Sequence, residues 1–143
     1  MNIGSQKFHK FWLAITAVVV GSFGPIFSLA TMSTTDAPAR WTLDFLAWPI
    51  DGLQIYSDGA MRFLSALTGG FLFGWGIMIL CLRHWVYDVA PEPTRRAVVA
   101  GLVAWFVLDS TGSVAAGATS NVIFNVFVLL LAVGPLWKSA GSA

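Results

Sequence analysis

The sequence predicts an all-α integral membrane protein, folded as an antiparallel bundle of four transmembrane helices. Three observations lead to this fold class. The 143 residues are 57% hydrophobic and only 10% charged, whereas a typical soluble domain carries roughly 25% charged residues. Four windows contain the roughly 20 mainly apolar residues that a helix needs to cross a bilayer. Lys and Arg residues gather on one side of the resulting bundle, as the positive-inside rule requires.

All 143 residues are assigned to one transmembrane domain. The four predicted spans are residues 11–30, 63–82, 97–116 and 118–137. The third window does not by itself establish a full span, because its apolar run stops at Leu108 and a polar run, residues 109–113, follows. Pro91 and Pro93 are expected to keep this helix from beginning earlier. Two alternatives remain: a full span whose polar run faces protein, which we favour, and a re-entrant segment.

The distribution of charge predicts the orientation of the bundle. With four spans, both termini and the middle connection lie on one side, which holds six of the eight Lys and Arg residues. Four of the seven acidic residues lie in the connection on the opposite side. Both termini are therefore expected in the cytoplasm. The small size and short connections favour a bacterial inner membrane.

The first connection, residues 31–59, is long enough to hold an interfacial helix. Asp36 followed by Pro38 is typical of a helix start, and Trp41, Phe45 and Trp48 then recur at helical spacing. The pattern predicts a short amphipathic helix in the outer headgroup region, with one aromatic face. This helix either covers and anchors the bundle, or it presents its aromatic face to a partner or gates a pocket.

The second span carries small residues at a spacing that allows close helix contact. Gly70 and Gly74 form a GxxxG pair, and Ser65 and Gly69 repeat the same spacing. Because glycine has no side chain, another helix can approach these positions closely. The glycines therefore predict helix packing, either within the bundle, which we favour, or at the seam of a dimer.

A few polar residues are predicted at similar depth in the outer half of the membrane. At a rise of 1.5 Å per residue, Asp109 lies roughly 10–12 Å below the outer end of its span, and Asn125 about 10 Å below the outer end of the fourth. Asn121 lies one turn above Asn125, and Arg62 can reach inward along its flexible stem. These residues act either as a structural staple between helices or as a site for a proton, a cation or a polar head group.

Several functional classes are excluded. A net charge of +1 leaves no basic surface for nucleic acid, and the single cysteine, Cys81, excludes a multi-cysteine metal site. Zinc-protease, serine-hydrolase and phosphate-loop motifs do not occur in the sequence. His9 and His84 are expected at the cytoplasmic boundary, so no metal site is predicted. No cofactor is predicted either, although a quinone, haem or pigment between Trp75 and Trp105 stays an alternative.

The second span opens with RFLSALTGGFLFGWG, residues 62–76. This segment, together with the basic inner turn and the glycine-bearing third span, resembles the small DoxX-like four-helix membrane proteins. The resemblance covers about two-thirds of the chain. It implies a compact bundle, some of whose relatives are linked to quinone redox or accessory roles, and it supplies no catalytic residues. The long acidic first connection and the lack of a redox cysteine pair depart from the family's pattern.

The glycine-rich and aromatic helix faces, without an enzyme motif, predict a non-enzymatic accessory or scaffold subunit. Such a protein would associate with a larger membrane complex or with itself, and it would bind membrane lipids. One alternative is a small transporter or a ligand-binding or ion-binding protein that uses the polar site at Asp109. A second alternative is a membrane redox helper that binds quinone, haem or pigment.

Overall fold

The computed structural model describes residues 5–140, and regular structure in this part of the chain is helical throughout. Its five α-helices are α1 Gln6–Ser28, α2 Ala37–Leu46, α3 Gly59–Cys81, α4 Pro91–Ala115 and α5 Ser120–Val133. Short 3₁₀ turns continue α1 to Thr31 and α5 to Trp137, and a π turn continues α3 to Val86.

Four of these helices are long and apolar enough to cross a membrane. With their added turns they comprise Gln6–Thr31, Gly59–Val86, Pro91–Ala115 and Ser120–Trp137. Only 11% to 33% of the apolar window in each of them is buried inside the protein. Most of the apolar surface is therefore left for lipid, which supports an integral membrane protein with four spans.

Side-chain caps explain why two helices begin before their predicted spans. Ser5 accepts a hydrogen bond from the Phe8 amide at 3.2 Å at the start of α1. Asp58 accepts one from the Met61 amide at 2.8 Å at the start of α3. Such caps satisfy amides that have no partner within the helix. These two helices therefore begin at their capping residues, whereas the run of apolar residues indicates only the part of each helix that crosses the membrane core.

The helix α4 begins earlier than predicted. Pro91 and Pro93 were expected to prevent this, but the helix starts at Pro91 and has both prolines in its first turn. That expectation was wrong because amides in the first turn have no helical acceptor, so proline costs nothing there. The helix continues through the polar run, residues 109–113, to Ala115 without the break of a re-entrant segment. Gly117, with φ of +80°, then turns the chain towards α5.

The four long helices pack as two pairs. Helix α1 packs closely along α3, and α4 packs along α5, whereas α3 and α4 stay apart along most of their length. The pairs join at one end of the molecule, here named the core end. Its buried apolar residues include Leu13, Ala17, Ile79, Leu102 and Leu136. At the opposite end, named the loop end, the first connection covers α1 and α3, and its Ala39 and Tyr56 are buried together with Ala30 at the end of α1.

The contact between α1 and α3 uses glycines, but only one of the three that the sequence singled out. A Cβ atom at Gly69 would lie 2.6 Å from the carbonyl oxygen of Gly24, and one at Gly76 would lie 2.7 Å from Cα of Gly21. Gly70 and Gly74 have open space where a side chain would project. Of the three predicted packing glycines, Gly69 therefore packs against α1, whereas Gly70 and Gly74 do not, and Gly76 is a contact that the sequence did not single out. The dimer seam stays a prediction for Gly70 and Gly74.

The short helix predicted in the first connection is present, but it ends earlier than the predicted aromatic face. Trp41 and Phe45 lie on α2 with stacked rings, 5.9 Å apart and 12° from parallel. The helix ends at Leu46, so Trp48 lies beyond it and does not extend the helical face. The chain turns back because the Asp44 carboxylate accepts hydrogen bonds from the backbone of residues 51 and 52. All three aromatic side chains of the predicted face are exposed.

Candidate functional site

Three polar side chains from α4 and α5 meet inside the apolar part of the chain. Asn125 donates from Nδ2 to Asp109 Oδ2 at 2.5 Å, and Asn121 donates from Nδ2 to the same oxygen at 3.0 Å. The second amide hydrogens go to Ser110 at 3.2 Å and Ser113 at 2.8 Å. Spacings of three and four residues align these groups on facing sides of the two helices. Asp109, Asn121 and Asn125 are called the polar cluster below.

Burial and charge distinguish the members of the polar cluster. Asn125 is 2% exposed, while Asp109 and Asn121 are half-buried. Within residues 5–140, Asp109 makes no ion pair. Both amides converge on Oδ2 of Asp109, so its other oxygen, Oδ1, accepts no hydrogen bond from this part of the chain. A carboxylate has acceptor sites on both oxygens, so Oδ1 can serve a further donor.

Arg62 was predicted to join the polar cluster and lies elsewhere. Its guanidinium donates to the backbone oxygens of Ala30 at 2.8 Å and Tyr56 at 2.6 Å, and it pairs with Asp36 at 3.3 Å. The predicted contact with Asp109 is corrected, because acceptors at the end of α1 and in the first connection bind the guanidinium instead. Burial in the same region raises the pKa of the Tyr56 hydroxyl. Arg62 therefore holds the first connection against α3.

A cavity of about 710 Å³ lies between the two helix pairs, and it is named the cleft below. The polar cluster forms part of its wall on the side of α4 and α5. Most of the remaining wall is apolar and aromatic, and its rings belong to Phe23, Phe27, Phe71, Trp75, Trp105 and Phe124. Ligand pockets in proteins combine such an apolar lining with a few polar groups that orient the ligand.

The cleft has an open side and a covered end. Phe71 on α3 and Leu108 on α4 line it and are 74% and 78% exposed, so the cleft opens between these helices towards the surrounding solvent or lipid. Leu46, at the end of α2, closes the loop end. Ser120 holds this cover, since it donates to the Leu46 carbonyl at 2.6 Å and accepts from the Trp48 amide at 3.1 Å.

Aromatic contacts connect the first connection with the interior of the cleft. Phe124 packs edge-on against Phe45 of α2 at 5.9 Å and against Phe23 of α1 at 6.0 Å. Sequence reasoning missed Phe23 and Phe124, although Phe124 directly precedes Asn125. The depth count that aligned Asp109 with Asn125 would have found Phe124 at the same level of the membrane.

Trp75 and Trp105, between which a quinone, haem or pigment was the alternative prediction, lie close together. Their ring centroids are 6.5 Å apart at 58°, and both rings line the cleft. His9 and His84 do not line it; His9 is buried at the core end and His84 lies on the π turn. A haem in the cleft would therefore have no histidine ligand among the lining residues. Within residues 5–140, no group of three or more His, Cys, Asp or Glu side chains is arranged to hold a metal ion.

Comparison with known proteins does not identify a family or a function for this chain. No protein-family model, curated protein or solved structure matches the chain. The resemblance to DoxX-like proteins therefore stays a prediction.

Proposed function

We propose that this chain is a non-enzymatic membrane protein that binds a small hydrophobic molecule with a polar head in the cleft. The observation that carries the proposal is the position of the polar cluster on the wall of an aromatic cavity of about 710 Å³. This volume lies within the roughly 300–1,000 Å³ typical of small-molecule pockets. The open side between α3 and α4 supplies a route from the bilayer. Of the functions predicted from sequence, this is the ligand-binding alternative centred on Asp109.

The proposal includes an antiparallel four-helix bundle. Two contacts support opposite directions for α1 and α3, since Gly24 meets Gly69 while Gly21 meets Gly76. Two others support opposite directions for α1 and α5. Phe23 packs on Phe124, and Thr16 donates to the Ala132 carbonyl at 2.7 Å. Both chain ends would then share one membrane side with the excess of Lys and Arg, which is the cytoplasmic side of a bacterial inner membrane under the positive-inside rule.

Cysteine accessibility tests this topology. In a Cys81→Ala background, Lys7→Cys and Lys138→Cys report on the two ends, and Leu53→Cys reports on the first connection. A membrane-impermeant maleimide added to intact cells is expected to label only the cysteine at position 53. Labelling of one chain end together with position 53 would contradict the proposed bundle.

Filling the cleft tests the binding function. Thr68 lines the cleft, is exposed and donates to the carbonyl four residues earlier, Leu64, at 2.8 Å. Thr111 is exposed and makes the same kind of bond to Val107 at 2.7 Å, but it does not line the cleft. Thr68→Trp therefore fills the cleft, and Thr111→Trp is its matched control.

Native mass spectrometry of the protein released from membranes, combined with solvent extraction, provides the readout. A molecule retained by the wild type and by Thr111→Trp is expected to be lost from Thr68→Trp. A quinone or a pigment would be recognised in the same extract by its mass and absorption. Equal retention by both variants, or an empty wild-type protein, would refute binding in the cleft.

The second candidate function is the accessory or scaffold role that the sequence analysis favoured. The observation that supports it is the open face of α3, where a Cβ atom added at Gly70 or Gly74 would meet nothing within 4 Å and Phe71 projects outward. Exposed Trp41 and Trp48 supply a second apolar surface at the loop end. Small residues let a second helix approach closely in lipid.

Cross-linking in membranes tests the scaffold role. In a Cys81→Ala background, Gly70→Cys is expected to form a disulfide dimer or a cross-link to a larger membrane protein. Gly112→Cys, on α4 at a position that is also exposed and open to a side chain, is the control that should not cross-link. A monomeric Gly70→Cys protein with no co-purifying partner would exclude the open face of α3 as the contact.

A further inference from the structure

The donors and acceptors of the polar cluster that are still free determine which class of ligand it can bind. Each side-chain amide has two hydrogens. Asn125 uses both, on Asp109 and Ser110, and Asn121 uses both, on Asp109 and Ser113. The Thr68 hydroxyl, elsewhere on the wall, donates to its own helix. All the donors of these three side chains therefore form hydrogen bonds within the protein.

The acceptors of the polar cluster remain available. Oδ1 of Asp109 and the amide oxygens of Asn121 and Asn125 receive no hydrogen bond from residues 5–140. Among the described residues that line the cleft, Asp109 is also the only one of the Asp, Glu, Lys and Arg type. A site with negative charge and free acceptors favours a ligand that donates hydrogen bonds and carries positive charge.

The rest of the cleft suits the same ligand. Its wall includes the rings of Trp75 and Trp105, whose centroids lie 6.5 Å apart, and the rings of several phenylalanines. Aromatic faces attract a cation, and the attraction is stronger where water is excluded. The apolar part of the molecule can extend through the open side between Phe71 and Leu108.

We propose that the cleft binds a lipophilic organic cation, with its charged donor head at Asp109 and its apolar part among the aromatic rings. This inference rests on the proposed ligand-binding function and gives that function a substrate class. It ranks acidic amphiphiles last, because a head group at the polar cluster would meet the Asp109 carboxylate and the amide oxygens of Asn121 and Asn125. It also ranks neutral molecules below cations of the same shape.

Three probes that share one ring system test the inference. Pyrenemethylamine is a cation at neutral pH, pyrenemethanol is neutral and pyrenecarboxylate is an anion. Binding to the full-length protein in phosphatidylcholine nanodiscs is measured by pyrene anisotropy, with empty nanodiscs subtracted. The amine is expected to bind about tenfold more tightly than the alcohol, since a charge-assisted hydrogen bond is roughly twice as strong as a neutral one. The carboxylate is expected to bind most weakly.

Two matched variants locate the effect. Asp109→Asn keeps the shape of the side chain and should reduce the preference for the amine to less than about threefold. Asp88→Asn removes an exposed carboxylate that pairs with Lys10 outside the cleft, and it should leave the preference unchanged. The comparison of the three probes on the wild type needs no variant, so the inference stays testable if Asp109→Asn does not fold.

Each outcome has a defined meaning. Equal affinities for the three probes, or strongest binding of the carboxylate, would overturn the cation inference while leaving a ligand-binding cleft. Loss of the preference in Asp88→Asn would also overturn it. No binding of any probe, together with an empty wild-type protein in the extraction experiment, would overturn the proposed function and the inference with it.

Discussion

Asn125 donates its side-chain amide to Asp109 across 2.5 Å and thereby joins α5 to α4 inside the apolar part of the chain. Asn125 is 2% exposed, so neither water nor lipid can replace this bond without a rearrangement of the helices. Asn121, one turn earlier on α5, donates to the same carboxylate oxygen. Two bonds on one acceptor hold the two helices in register, so the polar cluster has a structural role as well as the proposed binding role.

Loss of the Asn125 amide is expected to destabilise the protein. Asn125→Leu should lower the free energy of unfolding by about 1–2 kcal/mol, the range for interhelical hydrogen bonds in membranes, because Asp109 loses its closest donor. Unfolding by SDS in mixed micelles measures the change. A cycle with Asp109→Leu and the double variant should give a coupling energy of about 0.5–2 kcal/mol. Simple additivity of the two substitutions would mean that the bond contributes nothing.

Neighbouring glycines on α3 are expected to respond in opposite ways to alanine. A Cβ at Gly69 would clash with Ser28 Oγ and lie 2.6 Å from the Gly24 carbonyl oxygen, whereas a Cβ at Gly70 meets nothing within 4 Å. Gly69→Ala should therefore cost about 1–3 kcal/mol through overpacking. Gly70→Ala should be neutral or gain up to about 1 kcal/mol from helix propensity. Thermal unfolding in detergent compares the two, and equal shifts would argue against the α1–α3 contact.

Hydropathy and helix geometry were sufficient to predict the features that depend on local sequence, namely the long helices and the depth of their polar residues. The four spans follow from apolar length, because a helix that crosses lipid must satisfy its own backbone and hide it behind apolar side chains. Asp109, Asn121 and Asn125 could be placed at one depth because the helical rise is constant. The structure brings these three residues together.

Properties that depend on packing between helices could not be predicted. The GxxxG pair of Gly70 and Gly74 is a spacing rule, and spacing alone does not say which face of α3 meets α1. The stem of Arg62 could reach Asp109, but the nearer backbone oxygens of Ala30 and Tyr56 take its donors. The cleft itself arises where two helix pairs diverge, which is a relationship between elements distant in sequence.

Arg62 and Arg40 share Asp36 and are expected to differ in importance. Arg62 also binds two backbone oxygens and its side chain is 23% exposed, whereas the Arg40 side chain is 44% exposed and pairs with Asp36 alone. Arg62→Lys should cost about 1–3 kcal/mol, because lysine cannot reproduce the fork geometry and leaves buried acceptors unpaired. Arg40→Lys should cost less than about 1 kcal/mol, as for surface pairs.

Limited proteolysis in nanodiscs reports on this contact. The first connection is expected to be cut faster in Arg62→Lys and at the wild-type rate in Arg40→Lys. If both variants were cut at the wild-type rate, Arg62 would not be what holds the first connection against α3.

Ser120 is expected to control how tightly the first connection covers the loop end of the cleft. Its hydroxyl donates to the Leu46 carbonyl and accepts from the Trp48 amide. Ser120→Ala removes both bonds, and each hydrogen bond contributes about 1 kcal/mol. Hydrogen exchange of the Trp48 amide should accelerate about fivefold or more, since exchange follows the free energy of local opening. Ser22→Ala provides the control, because Ser22 bonds only to Val19 within its own helix. If both variants exchanged at the wild-type rate at Trp48, the cover would be held by the aromatic contact between Phe45 and Phe124 instead.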